Sequence, residues 1–311
     1  MKEVIVIVGP TASGKTNLSI ELAKRLDGEI ISADSMQVYK YMDIGTAKPT
    51  MEERQGIRHY LIDEILPSEE FNVVKFKNAA EAYIEDILSR GKRPVIVGGT
   101  GLYISSLINN VSFSETEIDW ELREKLSKEA EEKGAQFIHD KLREVDPAAA
   151  DSIHPNNVKR VVRALEVYYQ TQMPISYHIE RSREVPSKYK FIILGLTMDR
   201  EKLYDRINRR VDIMLENGLV DEVKGLVELG YADSITSMQG IGYKEILSYL
   251  RGETTLEEAV EIIKRESRRY AKRQITWFKR INVINWLCID NYGNTNNITE
   301  AAISRIISHS S

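Results

Sequence analysis

The octapeptide GPTASGKT, residues 9–16, restricts the fold of this chain more than any other stretch. It satisfies G-x-x-x-x-G-K-[ST] with Gly9, Gly14, Lys15 and Thr16. In such a loop, here Gly9-Pro10-Thr11-Ala12-Ser13-Gly14, backbone N–H groups turn inward around phosphate oxygens. Lys15 adds a point charge, and the Thr16 hydroxyl can hold Mg²⁺. A helix starting at the loop presents its positive dipole end to the anion. The arrangement needs a buried strand before the loop and a helix after it. Glu3 to Val8 is a Val/Ile run of the kind found in buried parallel strands. From Thr16, Leu18, Leu22 and Leu26 recur every four residues, as on one helix face.

The pattern continues downstream. EIISADS reads as a second strand, with Asp34 and Ser35 at its end. Val73 to Arg90 reads as a helix stopped by Gly91, and RPVIVGGTG as a strand breaking into a glycine-rich turn. Alternating strands and helices at this spacing imply an α/β fold with a parallel sheet. The character changes near Ser114. From Ile118 to about Arg183 the chain is charged and helical, with a loop-like break at DPAAADSIHPNN. Strand character returns at KFIILGLTMD, residues 190–199. Helices follow over Arg200–Glu216, Leu219–Leu229 and Leu256–Arg280, and the late run VINWLCI can rejoin the sheet. The expected fold is a P-loop NTPase-like parallel sheet flanked by helices, with an all-helical insertion domain. The core spans 1–115 and 190–311 and the insertion 116–189, in keeping with the two domains of ~150 residues that a 311-residue chain predicts.

Composition excludes several classes. The formal net charge is −4, so any contact with nucleic acid must come from a local basic patch. The single cysteine, Cys288, rules out an intrachain disulfide and leaves no basis for a cysteine zinc site. Its apolar setting, NWLCID, predicts a buried strand position, and the cysteine count suits a reducing cytoplasm. No run approaches the ~18 apolar residues of a membrane span, and the apolar start reads as a core strand, not a signal peptide. None of the five histidines has a partner at metal-ligand spacing, so they read as structural or surface residues.

A nucleotide hydrolase should place a metal-binding carboxylate directly after a buried strand. PVIVGG instead ends in Gly98-Gly99-Thr100-Gly101, and FIILGLTMD reaches Asp199 only after intervening residues. The cradle therefore suits a pyrophosphate ligand and chemistry other than hydrolysis. Asp34, at the sheet edge that carries the cradle, can bind magnesium, orient a nucleophile, take its proton, or cap a helix. Ser35 and Gln37 offer hydrogen bonds suited to a base edge, and Tyr39 a ring. The window Lys264–Arg280 holds eight basic residues and one acidic one, interleaved with Tyr270, Trp277 and Phe278. Cations beside stackable rings suit a single-stranded RNA loop. A second patch is Lys159, Arg160 and Arg163; a third segment, MQGIGYKEI, carries Gly240, Gly242, Tyr243 and Lys244.

Five blocks in order, GPTASGKT, DSMQVYKYMDIGTAKP, GGTGLY, HPNNVKRVVRALEVY and YAKRQITWFKR, together resemble the bacterial type of the tRNA isopentenyl transferase family, the tRNA dimethylallyltransferases. The resemblance spans nearly the whole chain. It implies transfer of a dimethylallyl group from dimethylallyl diphosphate to the N6 amine of the adenosine 3′ of the anticodon (tRNA position 37), with diphosphate leaving. The cradle would then hold an isoprenoid diphosphate, with Mg²⁺ on Thr16. Asp34 would be the general base, Thr11 would contact the bridging oxygen, and Arg210 would neutralise charge on the leaving group. Contacts to the anticodon stem-loop are implied for Asp34, Ser35, Met36, Gln37, Thr100, Arg123, Lys159, Arg160, Arg163, Gly240, Gly242, Tyr243, Lys244, Arg273, Gln274, Trp277 and Arg280. The target adenosine would be flipped from its stack, with the insertion as a clamp. A monomer in the cytoplasm, with no membrane contact, is expected. The competing readings are an adenylate isopentenyltransferase acting on free AMP, ADP or ATP, a small-molecule P-loop kinase, and a non-enzymatic RNA-binding module.

Overall fold

The structure is a computed structural model that describes residues 2–111, 119–183, 186–234 and 236–310. The expected domain boundary at 115–116 and the change of character near Ser114 lie outside the described residues. The chain packs as two units, Met1–Ile104 with Lys188–Ser311, and Ser105–Ser187.

The first unit begins β1 (Lys2–Val8), α1 (Lys15–Arg25), β2 (Gly28–Ser32), α2 (Met51–Arg54), β3 (His59–Tyr60), α3 (Val73–Ser89), β4 (Arg93–Gly98). Helix α4 (Gly101–Ile108) runs across the division. The second unit holds α5 (Trp120–Lys133), α6 (Ala135–Val145), α7 (Pro147–Ser152), α8 (Val158–Thr171) and α9 (Ile175–Arg183). The chain then returns as β5 (Tyr189–Thr197), α10 (Arg200–Glu216), α11 (Leu219–Glu228), α12 (Tyr243–Leu250), α13 (Leu256–Phe278), β6 (Asn285–Cys288) and α14 (Thr295–Ser310).

The six strands form one sheet in the order β3-β2-β4-β1-β5-β6, every neighbouring pair parallel. Val4 to Val8 of β1 are fully buried between β4 and β5. Each such side chain contributes roughly 1.5–3 kcal/mol by leaving water. The register sets Val8 level with Gly98 and Gly195; β1 and β4 end there, while β5 runs on to Thr197. After β1 the chain adds strands on one side and later on the other. Open α/β sheets place their ligands outside the carboxyl ends of strands at such a switch.

VINWLCI does rejoin the sheet, as edge strand β6, where Cys288 is half-buried and not fully buried as expected. The C-terminal tail, which carries no motif, forms α14 and supplies Ile298, Ala302 and Ile306 to the same core as Ile5, Leu18 and Leu22. DPAAADSIHPNN contains a short helix as well as a loop. Asp146 caps α7 by accepting the Ala149 N–H at 2.9 Å, and Pro147 takes the first position, where its missing N–H costs nothing. In the second unit Leu126, Ile138, Leu142, Val161 and Leu165 form a separate apolar core. Beside it Glu166 is fully buried and accepts from Arg123 at 2.9 Å, Arg163 at 2.6 Å and the Asp119 N–H at 2.9 Å. Burial alone would raise its carboxyl, but these donors hold it below the usual range.

Two glycines make opposite predictions. A Cβ on Gly98 would sit 2.1 Å from the Ala33 carbonyl oxygen, whereas one on Gly225, inside α11, meets nothing within 4 Å. Gly98→Ala should destabilise the first unit by about 1–3 kcal/mol. Gly225→Ala should stabilise it by about 0.5–1 kcal/mol. Urea midpoints read both.

Candidate active site

The cradle forms where β1 ends. Gly9, at φ +151°, lies so close to β5 that a Cβ would meet the Leu196 carbonyl oxygen at 2.8 Å. Ala12 adopts φ +62°, a left-handed conformation that costs an alanine about 1–2 kcal/mol. Gly14, at φ +80°, opens α1, and neither a capping side chain nor an acidic residue serves that helix start. Its first N–H groups are therefore left for an anion. The Ser13 Oγ is buried without a hydrogen-bond partner, as is expected of a group whose partner is a ligand. Lys15 Nζ donates to the Pro10 carbonyl at 2.7 Å. Burial and the nearby Arg210 push its pKa down to about 7, against the pull of Asp34.

No helix follows Asp34 before Met51, so the helix-cap reading falls. Its Oδ1 instead accepts the Met36 N–H at 2.9 Å in a local turn. Burial raises its carboxyl pKa, opposed by that N–H and by Lys15. The adjoining Ser35 N–H donates to Thr100 Oγ1 at 3.1 Å, and the Thr100 N–H to the Ala33 carbonyl at 3.2 Å. On the far side of the cradle Arg210 donates to Thr11 Oγ1 at 3.4 Å. Asp34, Lys15, Thr11, Arg210 and Thr100 thus meet at the carboxyl edge of the sheet.

The loop carrying Asp34, residues 33–50, has no helix or strand of its own. Glu222 of α11 holds it, accepting the N–H groups of Asp43 at 2.8 Å, Ile44 at 2.7 Å and Gly45 at 3.1 Å. Buried Lys48 ties the same loop by donating to the Tyr39 carbonyl at 2.8 Å and to Asp43 at 2.6 Å.

Several expected contacts lie elsewhere. Tyr39 is wholly buried and offers no ring to a base. Gln37 is turned inward, accepting from Ser32 Oγ at 3.1 Å and donating to the Thr46 and Ala47 carbonyls at 3.3 Å. Tyr243 is core: its hydroxyl donates to Glu222 at 2.7 Å and its ring lies where a side chain on Gly45 would be. Gly240 leaves room for Met36, and Gly242 opens α12 beside half-exposed Lys244. Phe278 is fully buried, and Tyr103 stacks on Phe76 with ring centroids 4.2 Å apart. Arg123 and Arg163 belong to the Glu166 cluster, whereas Lys159 and Arg160 are exposed. On α13 Lys272 and Arg273 are exposed, as are Lys279 and Arg280 just beyond its end, while Ala271, Gln274 and Phe278 face inward; Lys264 and Arg268 are only partly exposed, paired with Asp212 at 2.7 Å and Asn208 at 2.5 Å. Trp277 is half-exposed, over Gly101.

The sequence reading casts Tyr270 as a ring for RNA and Gln274 as a tRNA contact, and misses the inward role of both. Tyr270 meets Thr100 and Gln274, and burial with Asp34 nearby pushes its hydroxyl up to about 12. Their four-residue spacing marked a shared helix face, but not which face.

Among the described residues no three His, Cys, Asp or Glu side chains cluster to hold a metal. Thr16, at the loop's end, and the unpartnered Ser13 hydroxyl fit Mg²⁺ bound largely through phosphate oxygens and water, as Mg²⁺ prefers.

The model of the family IPP transferase matches residues 37–281, a span that starts beyond the cradle. A tRNA dimethylallyltransferase of Acetivibrio thermocellus is 64% identical over 292 residues, 94% of this chain and 93% of the relative. One from Alkaliphilus oremlandii is 51% identical over 308 residues, 99% and 98% of the two chains. The crystal structure of the full-length tRNA isopentenylpyrophosphate transferase of Bacillus halodurans covers 100% of this chain and 98% of its own, at 46% identity and a TM-score of 0.73. A eukaryotic dimethylallyltransferase caught acting on tRNA matches 99% of this chain and 80% of its own, at 35% identity and a TM-score of 0.82.

The depressed Lys15 pKa makes a signed prediction. Between pH 7 and the normal lysine range the unfolded chain holds the proton that the ligand-free fold has lost, so stability rises with pH there. Below pH 7 the full penalty of the buried cation applies. Lys15→Met should therefore raise the ligand-free melting temperature most at pH 6 and least at pH 10. It should also abolish binding of inorganic diphosphate, measured calorimetrically.

Proposed function

The chain belongs to the IPP transferase family and is a prenyltransferase of tRNA modification, and we propose that it moves a dimethylallyl group from dimethylallyl diphosphate to the N6 amine of the adenosine 3′ of the anticodon. The observation that carries the donor is the bare cradle: a helix start with no acidic neighbour, an unpartnered Ser13 hydroxyl and a desolvated Lys15. Mg²⁺ on Thr16 would neutralise diphosphate charge. Thr11 and Arg210 face the oxygen that leaves with the diphosphate, where stabilising developing charge has the greatest effect. As N6 attacks the allylic carbon, the carbon–oxygen bond to diphosphate breaks and the N6 proton passes to Asp34. A carboxylate whose pKa burial has raised is the better proton acceptor near neutrality.

The acceptor is read from charge. The outward face of α13 carries Lys272, Arg273 and the half-exposed Trp277, with exposed Lys279 and Arg280 just beyond its end; within the helical unit Lys159 and Arg160 are exposed. A free nucleotide has no use for so much basic surface. Asp199, the carboxylate after β5 on which the kinase reading would draw, instead caps α10 by accepting the Glu201 and Lys202 N–H groups at 2.9 and 3.2 Å. Among the described residues no helix is long and apolar enough to cross a membrane. This reading places the protein in the cytoplasm as a monomer.

The deciding experiment offers dimethylallyl diphosphate and Mg²⁺ with unmodified tRNA or with AMP and ATP, read by mass spectrometry. A dimethylallyl gain on one anticodon-loop adenosine is expected. A gain on free nucleotide alone would assign the cytokinin-type reaction instead. Asp34→Asn should slow transfer by about 10²–10⁴-fold while tRNA still binds. Lys159→Ala should lower the salt dependence of tRNA binding by about one phosphate contact. Arg123→Ala should instead destabilise the helical unit by about 1–3 kcal/mol, because Glu166 loses a buried donor.

A further inference from the structure

Gln274 sits on the basic helix α13, yet only 5% of it is exposed. Its Oε1 accepts the Thr11 N–H at 2.8 Å and its Nε2 donates to the Gly99 carbonyl at 3.0 Å. The orientation of the amide is unambiguous, because a backbone N–H can only donate and a carbonyl can only accept. One side chain therefore bridges the phosphate cradle and the glycine turn after β4. The approach is so close that a Cβ on Gly99 would lie 2.1 Å from Nε2. Tyr270 and Trp277, one turn to either side, meet Thr100 and Gly101, so a single stripe of α13 covers the turn Gly99–Gly101.

We infer that Gln274 is a positioning residue for the leaving-group side of the reaction, and that it makes no contact with tRNA. Its carbonyl fixes the Thr11 backbone, and with it the Thr11 hydroxyl that Arg210 reaches at 3.4 Å. The Thr11 N–H is thereby withdrawn from the groups that can meet phosphate. Thr11 faces the diphosphate with its hydroxyl alone. Only an amide of this length, with one acceptor and one donor end, satisfies both backbone partners. The inference rests on the transferase reading above.

The test compares Gln274→Met, Gln274→Ala and Gln274→Glu with wild type. It uses steady-state prenylation of tRNA from dimethylallyl diphosphate, equilibrium binding of an anticodon stem-loop RNA, and melting temperatures. For Met and Ala, kcat should fall roughly tenfold to a hundredfold, as misplacement of a reacting group does. Stem-loop affinity should stay within about twofold of wild type. In Gln274→Glu the ionised carboxylate opposes the Gly99 carbonyl, but the protonated acid restores the donor. The ratio of its kcat to that of wild type should rise as pH falls from 8 to 6, a response that loss of packing alone would not give. A variant that loses stem-loop affinity about tenfold while keeping kcat would overturn the inference, as would unchanged kcat in Gln274→Ala or a pH-independent ratio in Gln274→Glu. Wild-type protein that prenylates no tRNA would instead remove the transferase reading.

Discussion

The site is organised around contacts made where there is no side chain. The turn Gly98-Gly99-Thr100-Gly101 receives the Ala33 backbone at its first residue, Gln274 at its second and Trp277 at its fourth. A methyl group at any of these would push away either the loop bearing Asp34 or the helix bearing the basic face. β1 and β4 end level with each other, beside Gly195 of β5, and these approaches converge on the cradle.

Electrostatics then sets what the cradle will accept. Arg210 adds its positive charge at Lys15 and Arg206 adds its own at Arg210, while the Asp34 carboxylate pulls the other way at Lys15. Desolvation drives the charged forms of Lys15 and Asp34 toward neutrality together. An arriving diphosphate would reverse this at Lys15 and leave Asp34 poised to accept a proton. On the proposed reading, donor and acceptor chemistry would be coupled by the charge of one ligand, at neighbouring ionisable groups.

Much of this was legible in the sequence. The cradle, the parallel sheet and the basic window of α13 follow from local spacing, because strand, loop and helix obey short-range rules, whereas roles for Asp34, Thr11 and Arg210 were implied only by the family resemblance. What was not legible depended on distant partners. Gln274 lies in a basic window, and its bonds to Thr11 and Gly99 join residues far apart in the chain. Arg123 and Arg163 look like free cations until Glu166 folds between them. Tyr39, Tyr243 and Phe278 sit among polar neighbours but point into the core, and an aromatic residue does not announce its face. The helix α14 had only weak apolar spacing and no motif, so its place against α1 was a matter of tertiary packing.

The long loop behind Asp34 is unusual in where its backbone finds partners. Three successive N–H groups meet the Glu222 carboxylate, an arrangement elsewhere offered to external anions. By filling this concavity from within, the protein makes the loop part of the folded framework. If Asp34 is the base proposed above, it is set in place when the chain folds. On that reading the disorder-to-order cost of each catalytic cycle would fall on the nucleic acid, whose adenosine would have to leave its stack to reach a carboxylate already held by the fold.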